Sequence, residues 1–363
     1  MRVGIALILA VLFLSPLVTI SGGNEGEPLP VGCELSFDGE LANESVGFQT
    51  SLGPRLPGSA ASSALRESIK SNLTGWDIIE STHHVDGMVL TNLFATWNKG
   101  AGSEVMFAAH YDSRAKGDKD WNESRHDEPI DGANDGASGV AVLIELARII
   151  PAMNLSHEVT LFFTDGEDQG SYSPSEGWIL GATAWADNLT QSEADEIESF
   201  ILVDMIGDSD LTLRRAYPGN ASLWNNTVNK IFFLDEVCDL GESTYLNTEG
   251  YDWITDDHVP AYNLGIPAID IIDARYGQNA SDPIFGGHWH THNDTADKVS
   301  AESLQKIGYI LESGLITGSW LNIREVDVEV IDEDSNQTDT DTEDVDEVID
   351  DDSNQTDTDT EDV

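Results

Sequence analysis

Val105-Met106-Phe107-Ala108-Ala109-His110-Tyr111-Asp112-Ser113 is an unbroken apolar run that ends in a histidine and, two residues on, an aspartate. Continuous apolar character without polar alternation reads as a strand covered on both faces. Runs of the same kind fall at residues 93–97, 159–163, 200–203 and 268–272. Between and around them, helical periodicity covers residues 60–73, 137–150, 178–187, 222–233 and 301–321, and Pro151 stops the second of these. Alternating strands and helices imply a three-layer αβα domain of the α/β class with a mostly parallel sheet. In such a domain the ligand site lies at the carboxyl ends of the strands.

The polar residues at those ends are few and of one kind. His110 closes the run quoted above. The two-residue spacing puts Asp112 on the same face of the extended chain, where it can orient the imidazole. A surface His-x-Asp pair would give the same letters. Asp135 sits in Gly132-Ala133-Asn134-Asp135-Gly136-Ala137-Ser138-Gly139, a loop of small residues opening a helix. As a helix N-cap it needs no metal, and it could equally bridge two cations; a simple cap does not explain four small neighbours. Leu161-Phe162-Phe163-Thr164-Asp165-Gly166-Glu167-Asp168 follows a strand with a glycine turn and two adjacent carboxylates. Neighbouring side chains point apart, so Asp168 is assigned to a metal, Glu167 to proton transfer, and Asp165 to the turn. Asp204 ends another apolar strand, where an unpaired carboxylate is costly. His288, His290 and His292 alternate, so a local three-histidine clip competes with a loop that sends His290 alone to the main site. Two imidazoles, three carboxylates and a spare acid are the inventory of a two-zinc hydrolase with a general base.

The chain has 363 residues and a formal charge of −50, with 19 acidic and no basic residues after position 324. Such a field argues against nucleic-acid phosphates and anionic membranes as partners. An apolar run at 5–20, followed by Ser21-Gly22-Gly23, reads as a secretory signal peptide over 1–22, with a retained membrane anchor as the alternative. Eleven Asn-x-Ser/Thr sequons support export and glycosylation. Asn293, within the proposed site, is expected to stay bare. Residues 23–46 read as a polar N-terminal segment, 47–324 as the catalytic domain, and 325–363 as a disordered tail. The tail carries an acidic repeat (Val330-Ile331-Asp332 recurs as Val348-Ile349-Asp350) that is too poor in apolar side chains to fold. Cys33 and Cys238 are the two cysteines. In an exported chain they form a disulfide or remain as two buried thiols; both readings stay open.

Taken together, His110-Tyr111-Asp112-Ser113, the 132–139 loop, Asp165-Gly166-Glu167-Asp168, Asp204-Met205-Ile206-Gly207 and His290-Thr291-His292-Asn293-Asp294-Thr295 resemble metallopeptidase family 28. That family comprises the co-catalytic zinc aminopeptidases and their glutaminyl-cyclase relatives. The resemblance spans about residues 53–321. It implies a mixed sheet of about eight strands. It further implies that Asp135 bridges two Zn2+ ions, that Asp168 and His290 complete one and His110 and Asp204 the other, and that Glu167 is the base. Gly53-Pro54-Arg55-Leu56-Pro57-Gly58-Ser59, Asp256-Asp257-His258-Val259-Pro260 and Trp289 resemble the cyclase branch, in which Asp256 positions the substrate, Trp289 and Tyr172 line its pocket, and one zinc serves. The first functional reading is therefore a secreted zinc aminopeptidase acting on peptides with a free N-terminus, with Glu167, Asp112 and Asp256 as the catalytic acids. The alternative is a glutaminyl-peptide cyclotransferase, and a third is a non-catalytic binding member of the family. After signal cleavage no stable membrane partner is expected.

Overall fold

The computed structural model describes residues 33–324, apart from 173, 174, 239, 241, 242 and 278–283. The leader expected over 1–22 and the acidic repeat over 325–363 lie outside the described residues. Ten strands and eight α-helices are described. The strands are β1 (Asp77–Val85), β2 (Met88–Trp97), β3 (Glu104–His110), β4 (Glu158–Thr164), β5 (Asp168–Tyr172), β6 (Ser175–Trp178), β7 (Ile197–Asp204), β8 (Leu213–Tyr217), β9 (Leu246–Trp253) and β10 (Ala268–Ile272). The helices are α1 (Gly39–Ser51), α2 (Ala60–Asn72), α3 (Ala137–Ile149), α4 (Leu180–Ala186), α5 (Gln191–Glu196), α6 (Ala221–Cys238), α7 (His258–Asn263) and α8 (Ala301–Thr317).

The main sheet runs β1-β2-β4-β3-β7-β10. β1, β2 and β4 pair antiparallel; β4, β3, β7 and β10 pair parallel. The apolar runs are buried on both faces, and the pleat sorts their side chains. Val105, Phe107 and Ala109 of β3 join one core with Leu161, Phe163, Ile201 and Val203, packed against α1, α3 and α8. Met106 and Ala108 point the other way, joining Phe162, Phe200 and Leu202 under α4, α5 and α7. This is the expected three-layer, mixed and mostly parallel architecture.

The strand count differs from the expected eight: the main sheet has six. Two further pairs stand apart, an antiparallel β5-β6 hairpin and a parallel β8-β9 ribbon. β8 approaches β10 but is tied to it by single bonds rather than a ladder: Asn220 N–H donates to the Ala268 carbonyl at 2.8 Å, and Thr212 N–H to Asp273 at 2.9 Å.

Helix ends shift for local reasons. Trp178 was expected to open a helix, but it ends β6, and Ile179 at φ 51° separates that strand from α4. α8 stops at Gly318, which takes the left-handed conformation (φ 69°) that an L-side chain resists. α1 starts within the segment read as a polar lead-in, and Ala42 and Val46 are buried. Its approach is fixed by Glu312, whose carboxylate accepts Ser36 and Phe37 N–H groups, and by Gln305, which accepts Gly39 N–H. Cys33 and Cys238 form a disulfide with Cα atoms 4.9 Å apart, so the bridge is the reading that holds. Among the described residues, no helix is long and apolar enough to cross a membrane.

Candidate metal centre

The parallel strands end together, and the five predicted ligands meet there. His110 closes β3, Asp204 closes β7, and Asp168 follows the turn after β4. Asp135 lies just before α3, and His290 comes from the loop after β10. All five are buried. They form two triads, His110/Asp135/Asp204 and Asp135/Asp168/His290, with one potential ligand atom per residue and all such atoms within 4.8 Å of one another. Asp135 belongs to both: its Oδ1 lies 3.2 Å from His110 Nε2 and its Oδ2 lies 3.7 Å from His290 Nε2. His110 Nε2 is 3.2 Å from Asp204 Oδ1, and His290 Nε2 is 3.1 Å from Asp168 Oδ1.

This donor set fits zinc. Tetrahedral bonds of 2.0–2.2 Å put ligand atoms roughly 3.3–3.6 Å apart, close to the separations seen. Asp168 Oδ2 is buried without a hydrogen-bond partner, an acceptor left for a cation. Burial works against charge on His110, yet the carboxylates of Asp204, Asp112 and Asp135 raise its pKa well above the ordinary range. A buried cluster of this sign calls for a positive charge at its centre.

Close approach explains the small residues of the 132–139 loop. A Cβ on Gly136 would lie 2.5 Å from Cε1 of His110, so only glycine lets Asp135 reach that ring. The loop is also held from below. Asp294 accepts the N–H groups of Asn134 and Asp135 at 2.8 and 3.2 Å and the Tyr276 hydroxyl at 2.8 Å. Asn134 Oδ1 accepts Gly207 N–H at 2.6 Å, tying the loop to the segment after Asp204. His290 and Met205, which follows Asp204, both hold left-handed φ (55° and 48°). Strain of this kind persists where the surroundings over-determine it.

Asp112 lies on the Nδ1 side of His110. It faces His110 Nδ1 at 3.5 Å and accepts backbone N–H groups from Glu167 and Asp168. Burial pushes its carboxyl up, but the contact with His110 and these donors hold it below the usual range. His290 is oriented differently. Its Nδ1 lies 3.1 Å from the Tyr172 hydroxyl and 3.5 Å from Asp118. The sequence had marked Tyr172 only as a pocket aromatic. Asp118 and its partner Arg114 were missed altogether. Arg114 is buried, pairs with Asp118 at 2.8 Å and reaches Asp168 Oδ1 at 2.9 Å. Such an i,i+4 pair in a loop carries no sequence signal that separates it from a surface salt bridge.

His288 and His292 do not join His290. His288 packs against Tyr276, while His292 Nδ1 contacts Asp120 at 2.7 Å. The loop breaks the alternation, so the three-histidine clip is ruled out. Asp165 is a buried link rather than a plain turn residue: it accepts Thr91 N–H at 2.8 Å, and burial, with Asp112 nearby, pushes its pKa to about 7.

A cleft of about 290 Å³ opens over the triads. Glu167 and Asp256 line it together with Asp135, Asp168, Asp204 and His290. Burial, reinforced by Asp256, raises Glu167 well above the carboxylate range; burial and then Asp204 do the same to Asp256. Trp289 stacks on His290 with ring centroids 3.6 Å apart, and Phe285 stacks on Trp289 at 4.2 Å. Trp178, a third aromatic wall not foreseen, lies parallel to the His290 ring at 5.9 Å.

Residues 92–313 match the model of peptidase family M28. The chain is similar to the glutaminyl-peptide cyclotransferase of Boiga irregularis, at 27% identity over 310 residues, covering 73% of this chain and 78% of that protein. Among solved structures it is similar to the glutaminyl cyclase of Porphyromonas gingivalis (31% identity, 81% of this chain and 99% of that one, TM-score 0.65). It is also similar to a Zn-dependent exopeptidase of Parabacteroides distasonis (30% identity, 78% and 99%, TM-score 0.68).

Proposed function

The chain belongs to peptidase family M28, and from that membership we propose that it is a zinc-dependent enzyme of peptide N-termini that closes an N-terminal glutamine to pyroglutamate. The observation that carries this reading is the aromatic lining of the cleft that holds Glu167, with Trp289 and Trp178 beside the His290 ring and Phe285 stacked on Trp289. Aromatic walls beside a carboxylic acid suit a side-chain amide folding back on its own amine. The relatives named cyclotransferase and cyclase support it further.

Asp135, Asp168 and His290 would hold the single zinc of a cyclase. Bound there, zinc supplies a Lewis acid for the glutamine side-chain carbonyl. The rest falls to the chain's own groups. The α-amine nitrogen bonds to the side-chain amide carbon, the carbon–nitrogen bond of that amide breaks, and ammonia leaves. Glu167 takes the proton from the amine and returns it to the departing nitrogen. Its raised proton affinity suits a group that must both accept and release near neutral pH. Asp256, buried beside it, positions the amine, and the aromatic walls keep water from the reacting carbon.

A second reading is favoured by one specific feature. Both metal triads are complete and share Asp135, the arrangement two-metal aminopeptidases need to activate water. In that case Glu167 is the base toward water, and the first peptide bond is cut.

One experiment separates the two. A Gln-initiated and a Leu-initiated peptide are incubated with zinc-loaded protein and read by mass spectrometry, with Glu167→Gln as control. Ammonia loss from the Gln peptide alone is the expected result. Release of free leucine establishes the hydrolase instead. No change in either peptide removes both readings and leaves a binding role.

A further inference from the structure

At the rim of the metal cleft lies a second aromatic surface that neither reading uses. On β9, Tyr251 and Trp253 alternate onto one face and are 46% and 66% exposed, unusual for such large rings. Tyr217 of β8 completes the group, with ring centroids 4.4 Å from Trp253 and 5.1 Å from Tyr251. The surface is built rather than incidental. Asp252, between the two rings, turns inward and is buried, bonded to Arg214 at 2.8 Å and to Arg275 at 2.5 and 3.1 Å. Ile254 N–H donates to the Tyr217 carbonyl at 3.0 Å. The strand cannot rotate without breaking these bonds, so the rings are held in place before any ligand arrives.

The platform is continuous with the cleft. Trp253 borders it, and the next three residues, Ile254, Thr255 and Asp256, lead inward to Glu167 and His290. Trp253 lines the same cleft as the metal triads, so this edge is one along which a peptide bound there by its first residue can leave. We propose that Trp253, Tyr251 and Tyr217 form a subsite for the side chain following the N-terminal residue, and that the subsite takes an apolar or aromatic group. This rests on the cleft receiving a peptide N-terminus; it holds for cyclisation and for hydrolysis alike. Fixed aromatic rings give contact area at little ordering cost. In a chain of charge −50, an uncharged patch at the cleft edge also selects against an acidic second residue.

The test uses the zinc-loaded Glu167→Gln protein, so that peptides bind without turnover, and titration calorimetry with Gln-Phe-Ala-Ala and Gln-Ala-Ala-Ala amides. The phenylalanine peptide is expected to bind about tenfold tighter, a contrast typical of one side chain in an apolar site. Trp253→Ala should bring the two peptides to within about twofold, and Trp253→Phe should keep most of the contrast. Because the ratio is taken within each variant, a general loss cancels. Equal binding of the two peptides by the parent protein overturns the subsite, even if turnover of Gln peptides is established separately. A contrast that persists in Trp253→Ala overturns it as well. A contrast lost in that variant supports the subsite even if the cyclase reading fails. Self-association in sedimentation that Trp253→Ala abolishes, with no peptide contrast, reassigns the face to a second copy of the chain and removes the proposal.

Discussion

The Asp112 carboxylate accepts the backbone N–H of Glu167 at 3.1 Å while facing the ring of His110 at 3.5 Å. One buried acid thus touches His110 of the first triad and the turn that carries both Glu167, the proposed base, and Asp168 of the second. Asp112→Asn keeps the volume but removes the charge and half the acceptor capacity. Partners of metal-bound histidines are worth about 10–100-fold in metal affinity or activity, and a loss in that range is expected in zinc competition with a chelator. Unchanged affinity and turnover would show that Asp112 is structural only.

Glu167→Gln is isosteric, and its side chain is not one of the two triads. The variant should keep its zinc content and its circular dichroism while losing about 10²–10⁴-fold in kcat. Turnover near the parent rate would falsify the assignment of the base.

The shared carboxylate makes the two triads unequal under mutation. Asp135→Ala should abolish zinc binding at either triad, whereas Asp204→Ala should spare the position formed by Asp135, Asp168 and His290. Elemental analysis after dialysis against limiting zinc reads the difference. Equal stoichiometry in the two variants would mean that Asp135 is not needed at the position shared with Asp168 and His290.

Gly136→Ala places its methyl against the His110 ring and the His110 carbonyl. Overpacking of this kind costs about 1–3 kcal/mol, and the ligand ring must move with it. Lower melting temperature together with weaker zinc binding is the expected pair of results. A variant that melts and binds zinc like the parent would mean that the loop has room to shift.

Asp273 gives a pH test away from the metal ligands. It accepts N–H groups from Thr212 and Arg275, yet burial pushes its pKa to about 7, against an ordinary 3.8. A carboxyl with a raised folded-state pKa holds its proton where the unfolded chain has lost it. Its contribution to stability is therefore full below about pH 3.8 and lost as pH rises toward about 7. In chelator-treated protein, melting temperature should fall less steeply across that window in Asp273→Asn than in the parent. Parallel curves would contradict the sign.

The sequence by itself determined the layered α/β class and the strands of the parallel core. Runs such as 105–109 and 159–163 must be covered on both faces, and only helices can cover them. It also marked His110, Asp135, Asp168, Asp204 and His290, because buried carboxylates and imidazoles at strand ends need a cation. The first helix escaped because its apolar stripe is little more than Ala42 and Val46, and its docking depends on Glu312 and Gln305, about 270 positions away. Only the tertiary structure decided that Asp135 faces both histidines, that His290 parts from His288 and His292, and that Arg114 and Asp118 stand behind the second triad. It also decided that the β8-β9 ribbon sets Trp253 beside the cleft. These are contacts between segments far apart in the chain, whose distances and directions are fixed by packing and not by local residue pattern.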